Sequence, residues 1–277
     1  SLRDWHSRRM RERLYGWGRT SPSFANVLTP DTEADVLEAL TTQRHVLARG
    51  LGRSYGDAAQ AAGGVVLRND AFTEMSAISE DGLVTVGSGV SIDDLIRVGM
   101  PLGWFVPVTP GTRQVSVGGA IAADVHGKNH HVDGSFGQHV REMRIATPIG
   151  IITCSPHQNS DLFWATVGGM GLTGFILDAT VQLLAISSDH VVVDTVKHND
   201  LDGVMADMID NDHRYRYSVS WVDCMTKGRS MGRGIITRGD HAPSSEGSLT
   251  PPSSAKITVP LDAPSGLLNP LSIRIFN

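Results

Sequence analysis

Cysteine is nearly missing from this chain: 277 residues hold two, Cys154 and Cys224. Two thiols build neither a disulfide framework nor a cysteine metal cluster, so both are expected as buried free thiols. Long apolar runs are missing too. No stretch reaches the roughly 18 apolar residues that a membrane-crossing helix needs, and the opening residues lack the apolar core of a secretory signal. Positive charge is not in excess either. The net charge is -5, which argues against a general nucleic-acid binder. What remains, 40% hydrophobic and 19% charged, is ordinary for a globular enzyme. The length allows a sizeable core and two domains.

One local exception is the opening arm, residues 1–11, and the stretch that follows it. Arg3, Arg8, Arg9, Arg11, Arg13 and Arg19 alternate there with Trp5, Met10, Leu14 and Trp17. Such a run reads as a solvated basic arm or as a surface for anionic lipid or an anionic carrier.

The densest chemistry lies in Ala48, Arg49, Gly50, Leu51, Gly52, Arg53, Ser54, Tyr55, Gly56 and Asp57, directly after the strand-like run His45, Val46, Leu47. Three glycines in seven residues let successive N–H groups turn toward one point and form an anion-binding nest. The two arginines offer forked donors suited to phosphate. The pattern predicts a loop that holds a pyrophosphate; a glycine-rich turn without a ligand is the plainer alternative. Residues 52–56 also match the G-x-S-x-G of a hydrolase nucleophile elbow with Ser54 as nucleophile. That motif needs a long helix after the serine, and residues 57–62 allow one turn before Gly63 and Gly64. A dinucleotide fingerprint fails by spacing, since its third glycine falls on Tyr55.

Around the loop, residues 30–40 read as an amphipathic helix capped by Asp31 or Thr32, and residues 91–99 as a second helix capped by Ser91. Residues 64–67 and 82–87 read as short strands. The alternation indicates a mixed α/β domain. Residues 116–123 start a helix with almost no side-chain bulk, open to a flat or anionic group at its N–H groups or to close helix packing. His126, Lys128, His130 and His131 then place four ionisable groups in six residues. His126 and His130, four apart, are conceivable zinc ligands on a helix; Gly127 weakens that helix, and an imidazole orienting a substrate hydroxyl beside a redox cofactor fits better.

Residues 140–154 predict two strands joined by a turn at 148–150, and residues 161–167 a helix. A literal G-x-G-x-x-G runs from Gly169 to Gly174. It follows a helix and opens the strand 175–181, the reverse of the dinucleotide order, so no Rossmann fold is expected. Beyond about 186, strand-like runs at 191–193 and 217–222 flank a helix near 201–209, which predicts a second, α+β domain with an antiparallel sheet. Residues 239–255 read as a Ser/Pro/Gly-rich mobile loop. Residues 273–277 end in mid-pattern without a terminal helix, and the second domain is expected to be incomplete.

Together, GWGRT at 16–20, ARGLGRSYGD at 48–57, PGTRQVSVGGAIAADVHGKNHH at 110–131, GSFG at 134–137 and LFWATVGGMGLTG at 162–174 resemble the vanillyl-alcohol oxidase / p-cresol methylhydroxylase family of FAD flavoproteins. Within it they resemble the actinobacterial branch whose substrate is decaprenylphosphoryl-β-D-ribose. The likeness covers most of residues 12–185 and is weaker beyond, carried there by Ser220, Trp221, Val222 and Asp223. It implies an α+β chain: a two-part FAD-binding domain of the PCMH type at 12–185, then a partial substrate (cap) domain at 186–277.

The resemblance further implies a pyrophosphate loop at Ala48–Asp57 and FAD contacts from Gly111, Ser116, Val117, Gly118, Gly119, Ala123, Asp124, Val125, His126 and Ile176, the last at the adenine half. Tyr55 and His126 would border the flavin ring and the substrate, and Trp221 would line the sugar pocket. The implied reaction oxidises a 2'-hydroxyl to a ketone by hydride transfer to flavin, the first half of an epimerisation that serves cell-wall arabinan synthesis. An NAD(P)H-dependent reductase would be the partner for the second half. Peripheral membrane contact on the cytoplasmic or periplasmic face, the family suggesting the periplasmic one, and a basic arm meeting lipid phosphate would follow. Many family members attach flavin through a histidine in this loop; Arg53 stands in that place, so non-covalent FAD is expected. A late catalytic lysine of the family has no counterpart in these residues, and His126 is the remaining candidate base. Competing readings are a soluble sugar or polyol oxidase of the same class, a serine hydrolase at Ser54, and a non-catalytic binding protein.

Overall fold

The computed structural model describes residues 10–253, 266–267 and 269–276. Arg3, Trp5, Arg8 and Arg9 of the basic arm lie outside the described residues. The chain divides into two compact units, one formed by the chain up to His130 together with Gly134–Ala185, the other by His131–Asp133 and the chain from Ile186.

The first unit is built on two four-stranded sheets. In the first, β1 (Met10–Leu14) is antiparallel to β2 (Ser23–Leu28), while β2, β3 (Val46–Arg49) and β4 (Val65–Arg68) run parallel in the order β1-β2-β4-β3. Helix α1 (Glu33–Thr42) supplies the crossover between β2 and β3. Thr32 caps it in a reciprocal box with Asp35, an arrangement worth about 1 kcal/mol. Strands β1 and β2 carry no clean alternation in sequence. Their pairing, with Arg11 and Arg13 on β1, is decided by the partner strand rather than by their own pattern.

The second sheet is antiparallel in the order β5-β9-β7-β8, from β5 (Leu83–Gly87), β7 (Val140–Thr147), β8 (Gly150–Cys154) and β9 (Phe175–Gln182). Helix α2 (Ile92–Gly99), capped by Ser91, the short α3 (Val117–Ala122), the single turn α4 (His130–Asp133) and α5 (Ser160–Thr166) lie in its connections. A two-residue ribbon pairs β6 (Trp104–Phe105) with β10 (Leu184–Ala185). One core joins the sheets: Leu28, Val65 and Leu67 from the first, Val36 and Ala39 from α1, and Ala146, Phe175 and Leu177 from the second. Phe72 meets Phe175 edge-on at 5.2 Å between centroids.

The second unit is a three-stranded antiparallel sheet, order β11-β13-β12, of β11 (Val191–His198), β12 (Tyr217–Val222) and β13 (Gly234–His241), with helix α6 (Leu201–Asn211) after β11. Arg238 is buried and bonded to Asp212 and Asp207, and His198 meets Asp207 at 2.6 Å. Arg216 Nη1 reaches both carboxylate oxygens of Asp133 at 2.8 and 2.7 Å.

Three sequence expectations are corrected here. Residues 239–241 belong to β13 rather than to a loop; Gly239 sits where a Cβ would run into the carbonyl of Val192, so the strand needs a glycine there. The chain's last described residues form a helix, α7 (Pro270–Phe276): Asn269 Oδ1 accepts the N–H groups of Leu271 and Ser272, and proline takes the first helical position. Cys154 is buried, but Cys224 is exposed.

Candidate functional site

The site begins where β3 stops. The parallel ladder ends with the N–H of Asn69 donating to the carbonyl of Arg49 at 3.3 Å. From Gly50 to Asp57, eight successive backbone N–H groups meet no acceptor among the described residues. The carbonyls behave differently: those of Ser54 and Tyr55 accept from the N–H groups of Trp17 (2.7 Å) and Gly18 (3.1 Å), and that of Asp57 from Gln60 (3.0 Å). Gly50, Gly52, Arg53 and Ser54 are half-buried and Leu51, Tyr55, Gly56 and Asp57 exposed, so these donors are accessible to acceptors from outside the chain.

Glycine is required at two points of this loop. A Cβ at Gly50 would run into the hydroxyl of Ser116, and Gly52 has φ +66 with the Arg49 guanidinium packed against it. The arginines turn out to hold the loop rather than to face its opening. Arg49 donates from Nη1 to the carbonyl of Ala59 and from Nη2 to that of Tyr15, both at 2.8 Å. Burial first, then neighbouring Arg68, lowers its pKa from the ordinary arginine value, while Glu12 opposes this. Arg53 donates from Nε to the carbonyl of Gln114 at 3.0 Å, and its guanidinium stands 4.8 Å from the ring centroid of Trp17. The Arg49 fork is therefore engaged with protein carbonyls and Arg53 holds one through Nε, while the loop's main-chain N–H groups stay unpaired among the described residues.

The second correction concerns α3. Ser116 caps it, but the N–H groups of Val117, Gly118 and Gly119 already donate to the Val90 carbonyl (2.8 Å), the Ser88 carbonyl (2.9 Å) and the Ser116 hydroxyl (3.2 Å). The helix start offers an anion no free donor from these three. Close packing explains its small residues instead: a Cβ on Gly118 would stand 2.8 Å from that of Ser88. Asn69, which sequence reading passed over, ties the pieces together. It is buried, donates from Nδ2 to the Ser88 carbonyl at 2.7 Å, and lies beside both Gly50 and Gly118. A lone asparagine after a strand carries no signal that would have singled it out.

Asp124 adopts φ +41, and its carboxylate accepts from the Ser135 hydroxyl (2.7 Å) and the Gly137 N–H (2.9 Å). Val125 bonds back to Ala120 and accepts from Phe136. This knot fixes the chain just before His126, whose exposed ring meets His130 edge-on at 5.5 Å. Asn129, buried, donates to the Pro107 carbonyl at 2.7 Å and pins the far side of the turn. No group of three or more His, Cys, Asp or Glu side chains able to hold a metal occurs among the described residues.

Tyr55 is 78% exposed at the loop tip, whereas Ile176 is buried on β9 opposite Ile145. The surroundings of Gly111 are open. Residues 168–174 form a turn after α5 and before β9, with Gly168 and Met170 donating to the carbonyls of Ile121 and Ala122 at the end of α3. Gly171 lies beside the carbonyl of Ala48, a Cβ there falling at 3.6 Å. The structure thus gathers the 50–57 loop, the 114–123 segment and the 168–171 turn. Trp221 belongs to the second unit, on β12 across from Ile235, and is 45% exposed. No helix follows Ser54 between residues 55 and 64, so the hydrolase elbow is not formed.

Residues 24–155 match the family model described as an FAD binding domain. The chain is 43% identical over 274 residues to decaprenylphosphoryl-beta-D-ribose oxidase of Mycolicibacterium smegmatis, a match that takes in 93% of this chain and 60% of that protein. It is 31% identical over 173 residues to cytokinin dehydrogenase 9 of Oryza sativa subsp. japonica, covering 57% of this chain and 32% of the relative. It is 27% identical over 177 residues to a putative D-arabinono-1,4-lactone oxidase of Neurospora crassa, covering 60% and 31%. The chain spans three fifths or less of the length of these relatives. Main-chain donors unpaired among the described residues, glycine-limited packing and the match of residues 24–155 to an FAD binding domain point the same way.

Proposed function

We propose that this chain holds FAD without a covalent bond and takes part in oxidising the 2'-hydroxyl of decaprenylphosphoryl-β-D-ribose to a ketone, the first half of an epimerisation. The observation that carries the cofactor half is the run of eight N–H groups from Gly50 to Asp57 that meet no acceptor among the described residues, backed by glycines that let a diphosphate approach. The substrate half is supported by the likeness to the decaprenylphosphoryl-beta-D-ribose oxidase of M. smegmatis. Arg53 stands where a tethering histidine would be, and its guanidinium is engaged with Gln114 and Trp17; residues 48–57 contain no histidine.

The residues assigned to FAD are Ala48–Asp57, with Gly111, Ser116, Val117, Gly118, Gly119, Ala123, Asp124, Val125, His126 and Ile176. FAD when bound supplies a two-electron hydride acceptor. The protein's part is to bind and orient the sugar and to move one proton. His126, exposed and held in place by the Asp124 knot behind it, takes the hydroxyl proton. Tyr55 at the loop tip borders the reacting carbon, and Trp221 lines the sugar pocket.

Residues 186–277 act as part of a substrate domain. A separate reductase delivers a second hydride, from NAD(P)H, to the other face of the ketone. The lipid-linked substrate implies peripheral membrane contact on the periplasmic side, with the basic residues near the start of the chain as the contact. No helix among the described residues is long and apolar enough to cross a membrane. The lactone oxidase among the relatives favours, as a second reading, a sugar oxidase that passes electrons to oxygen.

Three measurements test the proposal. The purified protein is expected to be yellow and to release its flavin into the supernatant on acid precipitation. Anaerobic addition of the lipid-linked ribose is expected to bleach the flavin; bleaching by free sugars only would support the second reading. A colourless protein that refuses FAD on reconstitution would overturn both.

A further inference from the structure

We infer that residues 15–19 form a strap that aims the amides of the 50–57 loop, with Arg49 and Trp17 as positioning residues for the FAD diphosphate. The inference rests on the reading of that loop as the diphosphate cradle. In a trans peptide the C=O and the following N–H lie in one plane and point opposite ways. The strap's Trp17 N–H takes the Ser54 carbonyl at 2.7 Å, so the Tyr55 N–H is turned away from the strap. Its Gly18 N–H takes the Tyr55 carbonyl at 3.1 Å and turns the Gly56 N–H likewise.

Glycine at 16 and 18 allows this closeness: a Cβ at Gly16 would run into the carbonyls of Ser54, Tyr55 and Gly56, and one at Gly18 would lie 2.7 Å from the Tyr55 carbonyl. Two arginines fasten the strap from the loop's side. Arg49 joins the strap to the far side of the loop, holding the Tyr15 carbonyl of the strap and the Ala59 carbonyl beyond the loop. Arg53 stacks its guanidinium on the Trp17 ring while bonding Gln114. The strap meets the outside of the cradle, so its effect on a ligand passes through the orientation of amides. Lysine at 49 has one ammonium point in place of a planar fork and cannot reproduce both carbonyl bonds in the same geometry.

The test uses the whole chain with Gly18→Ala, Trp17→Ala, Arg49→Met and Arg49→Lys. Binding of FAD and riboflavin is measured by flavin fluorescence, and binding of ADP by calorimetry. FAD and ADP share the diphosphate; riboflavin lacks it. Gly18→Ala and Arg49→Met are expected to weaken FAD and ADP at least about tenfold, the loss of one well-aimed bond to a charged group, with riboflavin unchanged and Arg49→Lys intermediate. Equal weakening of riboflavin, or full retention of FAD and ADP affinity, would overturn the strap. Should Arg49→Met fail to fold, Gly18→Ala decides the matter, because it leaves the arginine in place. Trp17→Ala keeps its main-chain N–H, removes only the ring under Arg53 and is expected to weaken FAD and ADP less than Gly18→Ala does. A wild-type chain that binds FAD and ADP no better than riboflavin would instead overturn the cradle itself.

Discussion

Two glycine-rich turns of nearly equal length lie in the same unit and do opposite things. In residues 50–57 no backbone N–H meets an acceptor among the described residues, while in residues 168–174 four are taken, by Ile121, Thr166, Ala122 and Gly169. Both carry positive φ, at Gly52 in the first and at Gly168, Met170, Gly171 and Gly174 in the second. Glycine content and left-handed backbone are therefore shared. The fate of the N–H groups separates the two turns, and that fate is set by the segments packed around each.

A third turn, in the second unit, shows what such a loop looks like when the anion comes from its own chain. Asp223 accepts from the N–H groups of Met225 and Thr226, from the Thr226 hydroxyl and from Arg233 Nε. The Thr226 hydroxyl above all, then the Met225 N–H, hold this carboxyl well below the usual carboxylate range.

The sharpest way to break the comparison is Gly50→Val. Its side chain would push into Ser116, and overpacking of about 1–3 kcal/mol at the cradle corresponds to roughly ten- to a hundredfold weaker FAD binding. Flavin per folded protein, by absorbance and circular dichroism, is the check; undiminished flavin would remove the cradle from this loop. Gly174→Ala should do the converse. At φ +151 and against the Ala146 carbonyl, alanine is expected to cost about 1–3 kcal/mol and lower Tm by several degrees. Flavin per folded protein should not change, and a selective loss of flavin would show that the joint is part of the site.

A smaller effect is expected in acid. Because the folded Asp223 titrates below the unfolded value of about 3.9, its contribution is present above that pH and is lost as pH falls through the folded value. Thermal unfolding followed from about pH 6 to pH 3 should show a steeper acid loss for the wild type than for Asp223→Asn. Equal slopes would mean that the turn does not depend on the charge. The smallest effect is chemical: Cys224 is exposed, whereas burial pushes the Cys154 thiol up to about 11. A thiol reagent should titrate Cys224 in the native protein and both cysteines after denaturation.

Legibility in the sequence followed locality. The cap at Asp31 or Thr32 and that at Ser91, the apolar face of α1, the strands flanking residues 148–150 and the order helix, turn, strand around 168–174 were readable because each depends on neighbours within one or two turns. The turn after β3 was readable for the same reason, since Gly52 takes a left-handed backbone that glycine favours. Strand β13 was mostly passed over, because its glycines deny it a strand pattern and its two partners lie about 40 and 15 residues away.

By itself, then, the sequence determined where the backbone is free to turn, which helices are capped and that residues 50–57 present glycine beside arginine. Only the tertiary structure decided that the arginines face protein carbonyls and that α3's first N–H groups are already taken. It also decided that a strap some thirty-five residues upstream turns the loop's carbonyls outward. The reason is physical: conformational freedom belongs to a residue, but a hydrogen bond belongs to a pair, and the partners here are distant along the chain.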